Sequence, residues 1–236
     1  MQLTSHASNQ DLTSEIDKLC DSTSTSYALA DKVRRINIGL EELVAEIINA
    51  DGIFEYDDTN QSDLPVGTGN LIASQSSYAF ASEYLQIRQV KVKDANGNWL
   101  VLKQIDYRDF VDIAIEESFA DTGMPTHFDI LGDNIKLYPA PVAANVTLTA
   151  GLKVHFTRTA SLFTTSDTTK EPGLPSPYHV LLAYMAAIPY CAVYKKDRVA
   201  WLEKKVVEGK ASLIKFFSKR NKDERRVMTM KGFNFI

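Results

Sequence analysis

Four histidines, two cysteines and a few acidic pairs are the residues of this 236-residue chain with reaction chemistry to offer. His6, His127, His155 and His179 stand far apart, in no HExxH or HxH spacing, so neither one helix turn nor one strand brings two of them to a metal ion. Cys20 and Cys191 form no CxxC pattern; a zinc knuckle is excluded, a disulfide framework is not expected, and a reducing compartment is the default. Cys191 falls on an apolar helical face and reads as a small core residue. Gly67-Thr68-Gly69 has the spacing that begins a phosphate-binding loop but lacks the third glycine, the lysine and a preceding strand, and is taken as a turn. The neighbours in Glu41-Glu42, Asp57-Asp58 and Glu116-Glu117 diverge by about 100° on a helix, which suits a solvated face better than paired acid–base work. With no nucleophile, base and orienting group to name together, the expectation is no catalytic site, no cofactor and no metal: not an enzyme.

The elements that would position any site follow from periodicity. From Tyr27 to Asn49, Leu29, Val33, Ile36, Leu40, Leu43 and Ile47 step by three and four, which predicts one long helix stopped at Asp51-Gly52. Tyr84 to Lys93 and Trp99 to Ile105 flank Asn96-Gly97 and predict a hairpin; Phe128 to Leu131 and Ile135 to Tyr138 predict a second around Gly132-Asp133-Asn134. Between them Asp106 is expected to cap a short helix carrying Phe110, Ile113 and Phe119. Strict alternation from Val146 to Phe156 predicts a strand with one face buried, and the Ser/Thr-rich stretch after it a loop. Ser176-Pro177 opens another helix that contains Pro189, and Val199, Leu202, Val206, Gly209, Leu213 and Phe216 mark the buried side of a last one.

The fold class expected is therefore α+β, mainly α: long helices packed as a small bundle, with an inserted antiparallel β-hairpin module and extended termini. The corresponding organisation is an N-terminal arm over 1–26, a helical domain over 27–52 and 174–218, a β-rich insert with one short helix over 53–173, and a C-terminal docking tail over 219–236. No apolar run reaches the roughly 18 residues of a membrane span, and the first ten residues lack the core of a leader peptide, so no membrane partner is expected.

Charge is polarised along the chain. Residues 191–236 hold 13 Lys/Arg against 5 Asp/Glu, while the preceding residues hold 13 against 25. Contact between the basic end of one copy and the acidic body of another is thus favourable, and the basic end also suits nucleic acid. Within it Arg220, Arg225 and Arg226 precede Met228, Met230, Phe233, Phe235 and Ile236, a run whose apolar members need a partner to cover them. These eight residues are the candidate docking site.

Three stretches carry a family resemblance. They are Val33-Arg34-Arg35-Ile36-Asn37 in the first helix; Gly123-Met124-Pro125 leading through Phe128-Asp129-Ile130 and Gly132-Asp133-Asn134 to Tyr138-Pro139-Ala140-Pro141; and Leu174-Pro175-Ser176-Pro177-Tyr178-His179 with the charged helix after it. In order and spacing, over roughly residues 27–217, the chain resembles the head-to-tail adaptor (neck or connector) proteins of tailed bacteriophages. The resemblance implies a structural virion protein, made in the host cytoplasm, that forms a ring, generally of twelve copies in such proteins, between the portal and a distal tail or nozzle protein. DNA would pass through its lumen without specific binding. It also implies a C-terminal extension that docks on the portal, here from Lys219 to Ile236. The alternative is a nucleic-acid-binding packaging accessory. Against it, Trp201, Phe216 and Phe217 are read as lying on or near the apolar helix face, away from any nucleic acid.

Overall fold

In the computed structural model the described residues are 1–5, 11–51, 65–81, 84–106 and 121–220. They divide between two units, one formed by Met1–Ile53, Phe163–Thr169 and Ser176–Ile236 and the other by Phe54–Leu162 and Lys170–Pro175.

The first unit is helical. Helix α1 (Leu12–Cys20) is capped by Asp11, whose carboxylate accepts the Ser14 amide at 2.7 Å. Helix α2 (Leu29–Asp51) buries Val33, Ile36, Leu40, Leu43, Val44 and Ile47, the stripe its periodicity predicts. A 3-10 turn over Ser176–Tyr178 leads into α3 (His179–Tyr194), and α4 (Lys196–Arg220) follows. Helix α3 contains no Asp, Glu, Lys or Arg and continues through Pro189. A helix apolar on every side belongs in the middle of a bundle, and α3 packs against α1, α2 and α4. The 1–26 segment, expected as an arm, contributes to this core: Leu3, Leu12, Ile16 and Cys20 are fully buried, because a spacing of four puts Leu12, Ile16 and Cys20 on one face of α1.

Close approach of α3 and α4 depends on Gly209. A Cβ there would stand 2.8 Å from Leu181 Cδ1, so the missing side chain lets Leu181 of α3 press onto the α4 backbone. The buried row of α4 runs Leu202, Leu213, Phe217. It departs from the expected row at its end, where Phe217 is buried and Phe216 exposed, because the step after Leu213 is four residues rather than three.

The second unit is a β structure. Strands β1 (Val66–Gly69), β10 (Leu152–Arg158), β3 (Tyr84–Lys93) and β4 (Trp99–Val101) form one sheet in that order. A second sheet has the order β2 (Ser77–Ala79), β8 (Asn134–Tyr138), β7 (His127–Leu131) and β5 (Lys103–Gln104), and β6 (Thr122–Gly123) pairs with β9 (Ala140–Pro141). Tyr78, Ile135, Leu137 and Phe128 from one sheet join Val90, Val92, Leu152 and Val154 from the other in a single apolar cluster. Both expected hairpins are present, as β3–β4 and β7–β8.

Three expectations for this unit change. The alternating run from Val146 is not one strand: β10 starts at Leu152, after a turn in which Ala150 adopts φ 48° and a Cβ on Gly151 would lie 1.8 Å from the Thr147 carbonyl oxygen. Gly67-Thr68-Gly69 is not a turn but the body of β1, paired with Val154, Lys153 and Leu152; Gly67 is small because the Tyr84 hydroxyl occupies the place of its side chain. The insert is also not purely antiparallel, since β5–β7 and β6–β9 run parallel. Over the described residues the protein is mixed α+β rather than clearly mainly α; strands such as β1, β2, β5 and β6 are too brief for their period to show in the sequence. The helix expected over Asp106–Phe119 lies outside the described residues beyond Asp106. Among the described residues no helix is long and apolar enough to cross a membrane.

Candidate functional site

The residues with reaction chemistry are not gathered. His127 lies on β7, His155 on β10 and His179 at the start of α3, while His6 and the pairs Asp57-Asp58 and Glu116-Glu117 lie outside the described residues. Among the described residues no group of three or more His, Cys, Asp and Glu is placed to hold a metal ion. Burial, and then the charges of Lys91 and Lys153, hold the His155 imidazole below its ordinary pKa, which favours the neutral ring in this strand. A cleft in the β unit is lined by Gly67, Thr68, Tyr78, Phe80, Tyr84 and Leu152 among others, with no acid, amine or imidazole among the described residues of its wall.

Two groups of charged side chains stand out in the helical unit. One group joins helices. Lys32, only 3% exposed, pairs with Asp17 at 2.6 Å, and Lys195 pairs with Asp21 at 2.8 Å just past the end of α1. Arg198 donates to the Leu19 carbonyl at 2.6 Å, so that positive charge meets the unsatisfied carbonyls at the C-terminus of α1. Lys210 bridges Glu42 at 2.5 Å and Glu46 at 2.8 Å, tying α4 to α2. Burial pulls the Lys210 pKa down, but hydrogen bonds and charge from Glu42 and Glu46 outweigh it and leave the ammonium above its ordinary value. Part of the basic end is thus spent inside the molecule. The other group is exposed on α4: Lys196, Lys204 and Lys215, with Lys204 loosely placed 4.0 Å from Glu208.

The surface that stands out is apolar. On α4, Ala200, Lys204, Val207, Ala211 and Ile214 are exposed at steps of four, three, four and three, and so form a second row along the helix, well around from the buried one. Val207 is 67% exposed, and Trp201, edge-on to Tyr184, is 48% exposed beside this row. Helix α2 carries an outward row of its own, Arg34, Ile38, Glu41 and Ala45, with Ile38 at 49% exposure. Sequence reading missed both rows because it assigned each helix a single apolar face. The signal was present in the spacing of Ala200, Val207, Ala211 and Ile214. It also placed Trp201 and Phe216 at the apolar face, whereas both are exposed and only Phe217 is buried.

Of the eight docking residues picked from the sequence, Arg220 closes α4. Arg225, Arg226, Met228, Met230, Phe233, Phe235 and Ile236 lie outside the described residues.

The described residues present two outward helical rows and a separate β unit. A family model described as SU10 adaptor protein matches residues 10–216, and the chain belongs to that family, one of phage head-to-tail adaptors. Adaptors of this kind are structural components of the virion that contact other neck or tail proteins. No curated protein matches the chain.

Proposed function

We propose that the chain is a non-enzymatic neck protein whose copies form a ring, of twelve subunits by family resemblance, that joins the portal to the tail machinery and continues the DNA channel. The observation that carries this reading is the second apolar row of α4. A helix with two apolar faces has one for its own core and one for a partner. The partner we assign is the α2 row of a neighbouring copy, where Ile38 and Ala45 offer apolar surface and Glu41 faces the charge of Lys204. Two unlike rows on each copy make a head-to-tail contact, and such a contact builds a ring when the rotation between neighbours divides a full turn, the case we assign here. The tail from Lys219 to Ile236 is assigned to the portal, with Phe233 and Phe235 as anchors and the arginines setting register. Because exposed charge pairs are weak at physiological salt, the isolated chain stays monomeric or loosely associated and the ring forms on the portal.

The test is light scattering of the purified protein with and without portal, repeated with Val207→Glu and Ile38→Glu. The wild type forms a ring-sized complex on the portal, while each variant, folded as judged by circular dichroism, does not. Rings formed equally well by both variants would rule out these rows as the contact. The alternative reading, a nucleic-acid-binding accessory, gains from the exposure of Trp201 near Lys204. It loses from the commitment of Lys195, Arg198 and Lys210 to contacts within the protein. Nanomolar, salt-sensitive DNA binding by the assembled ring would favour that alternative, since a channel must let DNA pass.

A further inference from the structure

Cys20 and Cys191 are 171 residues apart in sequence, yet their sulfur atoms meet at 3.8 Å where α1 crosses α3. Both are fully buried free thiols. Each also reaches the opposite helix: Cys20 Sγ donates to the Ala187 carbonyl at 3.8 Å, and Cys191 Sγ lies 4.0 Å from the Leu19 carbonyl. Two thiols in contact, on helices far apart in the sequence, form a site for a bond as well as a packing contact. We propose that Cys20 and Cys191 are a latent disulfide site, oxidised by a low-molecular-weight disulfide to a covalent link that fixes α1 on α3.

The chemistry is thiol–disulfide exchange. One cysteine, as thiolate, attacks a sulfur of the external disulfide RSSR, forming a protein mixed disulfide and releasing one RS⁻. The second cysteine, also as thiolate, attacks the protein sulfur of that mixed disulfide and releases the other RS⁻. The two thiolates leave with the two protons lost by the protein, so the protein loses two hydrogens and two electrons and RSSR becomes two RSH. In the packed state the reaction is held back. Burial, then the adjacent Cys191, push the Cys20 thiol up to about 12, and RSSR has no path to either sulfur. Oxidation therefore waits for α1 to lift from α3. The ties that resist lifting at the exposed end are Lys195 with Asp21 and Arg198 with the Leu19 carbonyl. Made in a reducing cytoplasm, such a pair stays open; in an oxidising medium each opening of α1 becomes a chance to lock it. The inference does not depend on ring formation.

The experiment treats the full-length protein with oxidised glutathione, natively and in urea just below the unfolding transition, and then counts free thiols after alkylation under denaturing conditions. Peptide mass mapping identifies any link. The expected result is slow loss of both thiols natively and rapid loss in urea, a Cys20–Cys191 peptide two hydrogens lighter than its parts, and no retained glutathione. The oxidised protein should melt roughly 5–15 °C higher, as closing so long a loop implies. Cys191→Ser should retain glutathione on Cys20 or stay unmodified, and Cys20→Ala gives the reciprocal control if that variant folds poorly. Persistent glutathione adducts on the wild type, links only between copies, or two thiols that stay reduced under both conditions would each overturn the proposal.

Discussion

Gly209 decides how α4 lies on α3, and replacing it by alanine tests that claim through a change of sign. In an ordinary helix interior Gly→Ala stabilises by about 1 kcal/mol, through backbone entropy and helix propensity. Here the new Cβ would stand 2.8 Å from Leu181 Cδ1 and 3.4 Å from Cδ2, and Leu181 is buried with little room to rotate. Overpacking of that kind costs about 1–3 kcal/mol, so the expected net effect of Gly209→Ala is destabilisation by up to about 2 kcal/mol. Leu181→Ala alone loses about 2–5 kcal/mol by leaving a cavity. In that background the Cβ has space, and Gly209→Ala should stabilise by the full helix-propensity gain of about 1 kcal/mol. The assay is urea unfolding of the four proteins followed by helical circular dichroism, which gives a coupling energy of about 1–3 kcal/mol between the two sites. Additive effects, with Gly209→Ala stabilising the wild type, would show that α3 and α4 do not touch at this glycine.

Three further outcomes are expected. Lys210→Met should destabilise the helical unit by about 1 kcal/mol, discounted for the exposure of Glu42; because the folded pKa of Lys210 is raised, its contribution is present below its ordinary 10.5 and is lost as pH rises through the folded value, so alkaline unfolding curves of the variant should lack that part of the loss. Gly151→Ala should destabilise the β unit by more than about 3 kcal/mol in denaturant melts, since its Cβ meets the Thr147 carbonyl at 1.8 Å. Deleting residues 219–236 should leave the melting midpoint within about 1 °C yet abolish co-sedimentation with the portal; retained binding would move the docking surface elsewhere on the chain.

The long helices were legible because burial imposed a period on them: the α2 stripe from Val33 to Ile47 appears in the structure residue for residue. The two hairpins were legible because Asn96-Gly97 and Gly132-Asp133-Asn134 supply the turn chemistry, with Gly97 and Gly132 at positive φ. Strand β1 was hidden because Gly67 makes room for Tyr84, a reason found on another strand. The turn before β10 was hidden because apolar alternation persists across a turn that Gly151 permits. The outward rows of α2 and α4 are a different kind of omission, since one stripe suffices to explain a helix and the second has meaning only once the first is seen to be filled. The meeting of Cys20 with Cys191 was illegible for the simplest reason: only tertiary packing brings positions so distant together.

The central claim is that the exposed row of α4 is a surface between copies in the phage neck. The most direct measurement is electron cryo-microscopy of necks isolated from the virion, with the chain built into density between portal and tail. The account predicts a closed ring in which Val207 and Ile214 of each copy are covered by the Ile38 face of the next, with the Lys219–Ile236 tail on the portal. A ring in which Val207 and Ile214 remain in solvent, or a neck without this chain, would contradict it.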